Sequence, residues 1–482
     1  MAGRCLDEEP DDLIIVGGGA SATLLVDALR RSRPRRRWRV RIFEASHSPG
    51  RGVPYRTADR THRMNVPAIR LSVDPDDPEH LVRWLRRAGH RAEPDVYIAR
   101  GLYGSYLEDV LAGAGRAAAV QVTVHQTSVT RIARRPRGLF EVATDEGERW
   151  IAPRVVLAVG APSGPTPLPI DPRLAHGGAL VTDPWAPGAL GDLSRARRWI
   201  VAGTGLTMVD VALTVLRQPG ASVDAVSRHG RLPRAHPVER RSAVLPLDLP
   251  AGPLTAAQVR RALVRHAAEE PAGWEASVDL FRDHSADLWP RLPADEQAKV
   301  LRRLNAWNVH RHRMSPAVAR TLEDAIASGR LRIHTGRIAS IARDRRALML
   351  SVRHHGDGQS TLHGDRLVTC TGPIDDLGAT DDPLLRHLLD AGLATIGPHR
   401  LGLAVDPWGT ALDRSGRPVP GLTVLGALRR GTLFETTAIP ELRVQATELA
   451  RLLIPADLPP RLAAPRPASH GREAIRRMEV KA

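Results

Sequence analysis

Two glycine-rich turns, near residues 17 and 203, are the segments of this chain whose residue types and spacing predict chemistry. The first follows an apolar run at residues 13–16 and has the pattern Gly-x-Gly-x-x-Ala. In this pattern the first glycine makes a tight turn, the second lets the backbone approach a pyrophosphate, and the third small residue lets a helix pack on the strand. The helix start then holds the anion through its amides. The predicted contact residues are Gly17, Gly19, Ala20, Ser21 and Ala22.

An acidic residue after the next strand strengthens this prediction. The segment Val40–Phe43 reads as a strand and is followed by Glu44, 22 residues beyond Ala22. That is near the spacing at which a carboxylate meets a ribose hydroxyl of a bound dinucleotide. The alternative is an ordinary glycine-rich turn of another α/β protein. The combination favours a dinucleotide site.

The second turn follows a strand at Trp199–Ala202 and carries Gly203, Gly205, Leu206 and Thr207, with Met208 where Gly or Ala is usual. The strand after it ends in Ser227 and Arg228 and has no acid at its tip. A hydroxyl and a guanidinium suit the 2′-phosphate of NADPH, which a carboxylate would repel. The alternative is a solvated arginine in an arginine-rich chain. The pattern favours NADPH over NADH.

Composition limits the other functional classes. The 482 residues predict about three domains, and the net charge of +16 raises the question of nucleic acid. All but two of the 69 basic residues are arginine, a skew typical of GC-rich coding, and the aromatic content of 4% offers few stacking platforms for bases. No apolar run reaches membrane-spanning length, and the acidic start lacks a signal-peptide core. We therefore expect a cytoplasmic protein without nucleic-acid or membrane partners.

A repeated pattern predicts how the two halves of the chain return to their sheets. A β-meander within residues 120–160 ends at Val159 and Gly160, and a similar order of segments within residues 338–372 ends at Thr371 and Gly372. Two unrelated hairpins are the alternative. Between the copies, residues 233–329 read as mainly helical. There the two histidines His310 and His312 lie on different faces of a helix, and we expect no metal site.

The last globular segment reads as a strand at Leu422–Leu425, a glycine-rich loop and a helix with Pro440 in its first turn. Either Thr436 or Thr437 is expected to cap that helix. The loop from Gly431 to Ile439 is expected to lie against a flavin, with the helix dipole stabilising the reduced anion.

Together these stretches resemble a bacterial family of two-domain FAD/NAD(P)-binding proteins often mislabelled hydroxyacylglutathione hydrolases, related to class B flavin monooxygenases and amine N-hydroxylases. The matching segments run from residue 14 to about 450, and GTLFETTAIPELR and HRHRMSPAVA are the most specific of them. The resemblance implies an α/β fold of two Rossmann-like domains, a discontinuous FAD domain and an inserted NADPH domain with a helical insertion. We expect the FAD domain to comprise residues 1–195 and 333–454, and the NADPH domain residues 196–332. Residues 455–482 are expected to form a disordered tail. A departure is Gly426-Ala427 after the last strand, where relatives often have an Asp that holds the ribityl chain.

The resemblance also implies FAD contacts at Asn65, Thr371, Gly372 and Thr437. It implies an NADPH- and oxygen-dependent monooxygenase that hydroxylates a small nitrogen-containing substrate, an amine, amino acid or purine-type ring, through a flavin 4a-hydroperoxide. Alternatives are an NADPH-dependent flavin oxidoreductase without oxygenation and a non-catalytic flavin-binding regulator. The oligomeric state stays open, with a homo-oligomer among the options. Polar candidates for the substrate site, each with a structural role as the alternative, are His62, Arg100, Tyr103, Arg311 and His312.

Overall fold

The structure, a computed structural model, describes residues 10–115, 119–174, 178–191, 196–344, 347–356 and 358–454. The expected tail at 455–482 and Cys5 lie outside these ranges. The described strands are β1 (Leu13–Val16), β2 (Trp38–Phe43), β3 (Val120–His125), β4 (Val129–Arg135), β5 (Leu139–Thr144), β6 (Arg149–Ala152), β7 (Val155–Leu157), β8 (Leu180–Val181), β9 (Arg198–Ala202), β10 (Ser222–Ser227), β11 (Leu331–Thr335), β12 (Arg337–Asp344), β13 (Ala347–Arg353), β14 (Gln359–Gly364), β15 (Arg366–Thr369), β16 (Thr410–Leu412) and β17 (Pro418–Val424).

The α-helices lie between these strands and in one long insertion. They are α1 (Ala20–Arg31), α2 (His80–Arg87), α3 (Arg100–Gly115), α4 (Leu206–Val215), α5 (Ala256–Glu269), α6 (Trp274–Asp283), α7 (Ser285–Leu288), α8 (Ala294–Leu301), α9 (Leu304–Arg311), α10 (Pro316–Ala327), α11 (Pro383–Asp390) and α12 (Ile439–Leu453). Among the described helices, none combines the length and the apolar character needed to cross a membrane.

A six-stranded sheet organises the first unit, in the order β16-β17-β7-β1-β2-β3. Its strands are parallel except β16, which runs antiparallel to β17. The apolar run of β1 is buried throughout, as expected of a central parallel strand covered on both faces. Helices α1, α2, α3 and α12 pack on one face, and the β4–β6 meander and α11 contribute to the core on the other.

A parallel five-stranded sheet organises the second unit, in the order β11-β10-β9-β15-β8. Helices α4 and α10 pack on one face, and the β12–β14 meander packs on the other. Each unit therefore contains a glycine turn, a meander and a strand that returns to its own sheet. The predicted repeat is confirmed, and so is the fold class of two Rossmann-like units.

The sheets divide the chain at places other than the expected boundaries of 195/196 and 332/333. Strand β8 comes before residue 195 but pairs with β15 in the second sheet. Strands β11 and β15 lie at and beyond residue 331, yet both belong to that same sheet. The strands of the second sheet therefore span the chain from β8, which begins at Leu180, to β15, which ends at Thr369. The sequence placed the second meander with the first sheet because it could not show which sheet the meander covers.

Helices α5 to α9 form the predicted helical insertion. Their core contains Leu254, Phe281 and Trp289, and Phe434 from the loop before α12 packs against it. The insertion thus contacts the segment that joins the last strand of the first sheet to α12.

Candidate functional site

The first glycine turn sits at the carboxyl end of the six-stranded sheet, between β1 and α1. Gly17 has a φ of +93°, and a Cβ atom there would lie 2.5 Å from the carbonyl oxygen of Ala158. Only glycine fits both the left-handed backbone and this approach to the end of β7. The carboxylate of Glu44 accepts the amide of Gly18 at 2.7 Å and that of Ser46 at 2.8 Å. Glu44 therefore lies at the turn, as its spacing predicts.

A glycine-rich loop after β2 covers the same turn. The amide of Gly50 donates to the oxygen of Gly18 at 2.6 Å, and the Cα of Gly52 lies 3.1 Å from where a Cβ of Gly19 would be. Arg51 anchors this loop by donating to Glu108 of α3 at 2.6 and 2.7 Å. The sequence signal for this loop is the pair Gly50 and Gly52, which follows shortly after Glu44.

The helices that follow the two turns begin without a local cap. The N-cap residues of α1 and α4 are Gly19 and Gly205, with no side-chain cap and no acid in the first turn. Side-chain caps are present at α5, α10 and α11, whereas α2, α6, α8, α9 and α12 also lack one, so it is the position after a glycine turn at the end of a parallel strand that distinguishes α1 and α4. Uncapped first-turn amides with a positive pole suit an anion such as a pyrophosphate.

The second turn repeats the geometry of the first. Gly203 has a φ of +116°, and a Cβ there would overlap the carbonyl oxygen of Cys370, just after β15. A Cβ on Gly205 would meet nothing within 4 Å, so the backbone is open to a ligand on that side. The open side of Gly205 fits a nucleotide pyrophosphate.

The tip of β10 carries the predicted selectivity residues. The hydroxyl of Ser227 lies 2.9 Å from that of Thr204 in the turn and accepts the amide of Gly230 at 3.0 Å. Arg228 is exposed beside it. Burial is the main cause that lowers the pKa of His229, and the nearby charges of Arg231 and Arg228 lower it further. Such a tip suits an additional phosphate group.

Thr371 and Gly372 lie elsewhere than the resemblance implies. They follow β15, whose end faces Gly203, whereas the corresponding end of β7 faces Gly17. The structure therefore places both residues at the second turn and puts Val159 and Gly160 at the first. The repeat is symmetric, so the sequence alone could not tell which turn each return strand meets.

The loop after β17 closes the first turn from the other side. A Cβ on Gly426 would lie 3.0 Å from the hydroxyl oxygen of Ser21 at the start of α1. The amide of Gly426 donates to Gln445 of α12 at 3.0 Å, and its carbonyl accepts from Thr436 at 2.8 Å.

The predicted cap of α12 by Thr436 or Thr437 is wrong. The N-cap residue is Ala438, which makes no side-chain bond, because the buried hydroxyl of Thr436 bonds Gly426 and Gln445 instead. Thr437 is exposed, and Pro440 lies in the first turn as predicted.

A buried ion network links this loop to the helical insertion. Arg311 donates to the carboxylate of Glu435 at 3.1 and 3.2 Å, and Arg282 donates to Glu441 at 2.6 Å. Both arginine side chains are 3% exposed. Burial alone would raise the pKa of Glu441, but Arg282 outweighs it and the pKa falls below its usual range. Burial, with Arg311 and Arg282 nearby, lowers the pKa of His312 to about 3, so this histidine is neutral at pH 7.

Comparison with known proteins agrees with this architecture. Residues 14–162 match the family model described as FAD-NAD(P)-binding. A search of curated proteins gives no significant match. Among solved structures, the ornithine N-hydroxylase KtzI of Kutzneria sp. 744 is similar, with 18% identity over 92% of this chain and 99% of that chain and a TM-score of 0.60. This chain therefore shares the fold of that enzyme.

Two further neighbours share the same fold. The ornithine hydroxylase PvdA of Pseudomonas aeruginosa has 14% identity over 92% of this chain and 99% of its own, with a TM-score of 0.62. The cadaverine monooxygenase DfoA of Erwinia amylovora has 15% identity over 92% and 95% of the two chains, also with a TM-score of 0.62. The predictions of the fold class and of FAD/NAD(P)-binding character are confirmed.

Three of the polar candidates make contacts inside the protein rather than lining one open site. His62 bonds the hydroxyl of Thr214 at 2.9 Å, and Arg100 pairs with Asp210 of α4 at 2.7 Å. These contacts tie the first unit to α4. Tyr103 is fully buried and donates to the carbonyl of Leu71 at 3.0 Å.

Arg311 instead bonds Glu435 in the loop before α12, and His312 lies near Arg311 and Arg282 of the same ion network. Asn65 accepts from His236 through its backbone oxygen at 2.7 Å, which places it at the contact between the units. Within the described residues, no group of three or more His, Cys, Asp or Glu is arranged to hold a metal ion.

Sequence reasoning missed an aromatic cavity in the helical insertion. It has a volume of about 1110 Å³ and is bordered by Trp274, Trp289, Trp307 and Phe434. The available signal was compositional: three of the nine tryptophans fall within residues 274–307 of a chain poor in aromatics.

Proposed function

We propose that this chain is an FAD-dependent, NADPH-using monooxygenase that hydroxylates a small nitrogen-containing substrate with molecular oxygen. The hydroxylated group is an amine, an amino-acid nitrogen or a purine-type ring. The observation that carries the proposal is the pair of glycine turns, each with an uncapped helix pole, joined by direct contacts between the first unit and α4. The N-hydroxylating neighbours, whose lengths are almost fully covered, support it.

FAD fits the first turn. The uncapped start of α1 suits its pyrophosphate, and the carboxylate of Glu44 at the tip of β2 suits a ribose hydroxyl. When bound, FAD supplies the redox and oxygen chemistry, while the protein orients the reactants and excludes water. The proposed FAD residues are Gly17, Gly19, Ala20, Ser21, Ala22, Glu44, Asn65 and Thr437.

NADPH fits the second turn. The open side of Gly205 and the uncapped start of α4 suit its pyrophosphate, and the basic tip of β10 suits its 2′-phosphate. We assign Thr371 and Gly372 to this turn because they follow β15 beside Gly203. The other proposed NADPH residues are Gly203, Gly205, Leu206, Thr207, Ser227 and Arg228.

The loop Gly431–Ile439 is proposed to lie against the flavin ring. Its Thr436 reaches the carbonyl of Gly426, which itself lies against Ser21, so the loop is held beside the first turn. The amide pole of α12 then faces the charge that a reduced flavin carries. Glu441, in the same first turn, is balanced by Arg282 and so does not cancel that pole.

An NADPH oxidoreductase without oxygenation is the second candidate. Disulfide reduction through a paired-thiol motif is disfavoured, because the chain carries Cys5 and Cys370 alone and has no Cys-x-x-Cys pair. Burial raises the pKa of Cys370 far above its usual value, so its thiol is not poised as a nucleophile. A flavin-binding regulator would not require the second nucleotide turn.

The test is product formation in air. The FAD-loaded protein is incubated with NADPH and a panel of small amines, amino acids and purines, and NADPH loss, hydrogen peroxide and hydroxylated product are measured together. We expect at least one substrate to yield hydroxylated product in near-equal amount to the NADPH consumed. NADPH loss matched by peroxide alone with every substrate would refute oxygenation and support the oxidoreductase.

A further inference from the structure

The aromatic cavity of the helical insertion lies between α5, α6, α8, α9 and the loop Gly431–Ile439. Its volume of about 1110 Å³ exceeds the usual range for a site that holds one drug-sized molecule. Apolar side chains form most of its wall, and five of them are aromatic: Phe281, Trp274, Trp289, Trp307 and Phe434. The cavity therefore suits a ligand with a substantial apolar body.

Two of the three indole N–H groups in its aromatic wall donate to the loop Gly431–Ile439. The indole N–H of Trp289 donates to the carbonyl of Gly431 at 2.9 Å, and that of Trp307 donates to Glu435 at 3.2 Å. The rings of Trp289 and Phe434 stack with centroids 5.0 Å apart. Because these two indole donors are satisfied by the loop, the parts of the rings that face the cavity offer an apolar surface to a ligand.

The charged residues of the lining are mostly positive. Its carboxylate, Glu296, is occupied by Lys299 and by the amide of Ala256 at 2.7 Å. Four arginines of the lining have no described carboxylate within 4.0 Å, and one of them lies over the ring of Trp274; they are Arg234, Arg260, Arg302 and Arg303. The lining thus offers free cations and no free anion to a ligand.

We propose that this cavity binds the substrate, and that the substrate carries an aromatic or branched aliphatic body and an acidic group. This inference rests on the proposed monooxygenase function, and it names the substrate class of that same site. A free diamine or a basic amino acid matches neither the apolar wall nor the sign of the charge. The nitrogen to be hydroxylated therefore belongs to a larger, apolar and anionic molecule.

The cavity is connected to the first nucleotide turn through one short segment. Phe434 forms part of the cavity wall, and Thr436, two residues later, donates to the carbonyl of Gly426. Gly426 lies against Ser21 at the start of α1. A ligand in the cavity therefore touches the loop that we place against the flavin ring.

Binding is measured by calorimetry on the FAD-loaded full chain with naphthalene-1-acetate, with naphthalene-1-ethylamine and with ornithine. The first two probes share an aromatic body and carry opposite charges. We expect the acid to bind about tenfold more tightly than the amine, since reversing the charge turns attraction to exposed arginines into repulsion. Ornithine is expected to give no saturable heat in the same concentration range. Equal or tighter binding of the amine or of ornithine would overturn the proposal.

Two neighbouring alanines of α5 provide a matched pair of variants. Ala267 lines the cavity, whereas Ala268 is exposed and does not line it. Ala267→Phe should weaken the acid at least tenfold, and Ala268→Phe should leave it unchanged. If Ala267→Phe fails to fold, as judged by its FAD content, Arg303→Glu at an exposed lining position should instead lower the acid-over-amine preference severalfold. Unchanged binding in a folded Ala267→Phe, or an unchanged preference in Arg303→Glu, would contradict the assignment.

The same preparation separates this proposal from the proposed function. NADPH-driven bleaching of the flavin is recorded beside each binding experiment. Bleaching without binding of the acid refutes the substrate class and leaves the flavoenzyme proposal standing. Binding of the acid without bleaching supports the cavity as a ligand site and refutes its use by an NADPH-dependent enzyme.

Discussion

Replacing Arg228 by alanine tests the proposed preference for NADPH. The side chain is exposed beside Ser227, whose hydroxyl is held by Thr204 and Gly230, so the tip of β10 keeps its shape without it. The change removes one charge-assisted contact to a 2′-phosphate, worth about 1.5–3 kcal/mol. That corresponds to about a ten- to hundredfold loss of NADPH affinity, with the lower end expected at an exposed position.

The assay is the nucleotide concentration that half-saturates anaerobic flavin reduction, measured for NADPH and for NADH. We expect Arg228→Ala to raise the value for NADPH and leave that for NADH within twofold. Arg320→Ala, an exposed arginine on α10 away from the turn, is the matched control and should change neither. Since salt screens an exposed charge, the effect should shrink in high salt. Equal losses for both nucleotides, or no loss, would refute the placement of the 2′-phosphate at β10.

Three other perturbations test separate parts of the structure. Gly17→Ala should abolish FAD retention on gel filtration, because the Cβ atom of the alanine would lie 2.5 Å from a backbone oxygen. The control Gly147→Ala should retain FAD, because Gly147 also has a positive φ but has free space around the added Cβ. Glu441→Gln should lower the thermal midpoint, because it leaves the Arg282 side chain, which is 3% exposed, without its anion and lowers the free energy of unfolding by about 2–4 kcal/mol. The control Glu239→Gln, from an exposed ion pair, should lower it by less than about 0.5 kcal/mol. Equal effects of the two variants would contradict the buried network. Burial lowers the pKa of His236 from 6.5 to about 4 in the folded protein. As the pH drops from about 6.5 to 4, this histidine takes up a proton in the unfolded chain before it does so in the folded protein. The free energy of unfolding should therefore fall over this range, by about 3 kcal/mol at most. In urea unfolding, His236→Asn should remove this loss of stability between about pH 6.5 and 4. A pH profile identical to that of the parent protein would contradict the role of His236.

The sequence predicted the parts of the site that depend on local backbone chemistry. The spacing of Gly17, Gly19 and Glu44 placed a turn and an acid that the structure brings together through the amide of Gly18. Positive φ at Gly17 and close backbone approach at both Gly17 and Gly19 favour glycine there, and such restrictions are visible in residue types. The same reasoning located the second turn and the tip of β10.

The sequence could not predict which elements meet across long separations. Thr371 and Gly372 have the residue types of a return strand, but pairing of β15 with β9, not local pattern, decides which turn they face. Thr436 has the type of a helix cap, yet the backbone of Gly426 and the amide of Gln445 use its hydroxyl instead. Such assignments follow from tertiary contacts.

The aromatic cavity was hidden for a similar reason. Trp289 and Trp307 lie on separate elements of the insertion, and Phe434 comes from a loop more than 120 residues later in the chain. Periodicity alone reads such residues as ordinary core. Only their arrangement around open space distinguishes a ligand cavity from a packed interior.

The central claim is that NADPH at the second turn reduces FAD at the first. Anaerobic titration of the FAD-loaded protein with NADPH, followed by flavin absorbance, tests it most directly. We predict complete bleaching at about one equivalent of NADPH per FAD, because each nucleotide delivers two electrons, and slower bleaching by NADH. A flavin that stays oxidised in excess NADPH, in protein that retains stoichiometric FAD, would contradict the account.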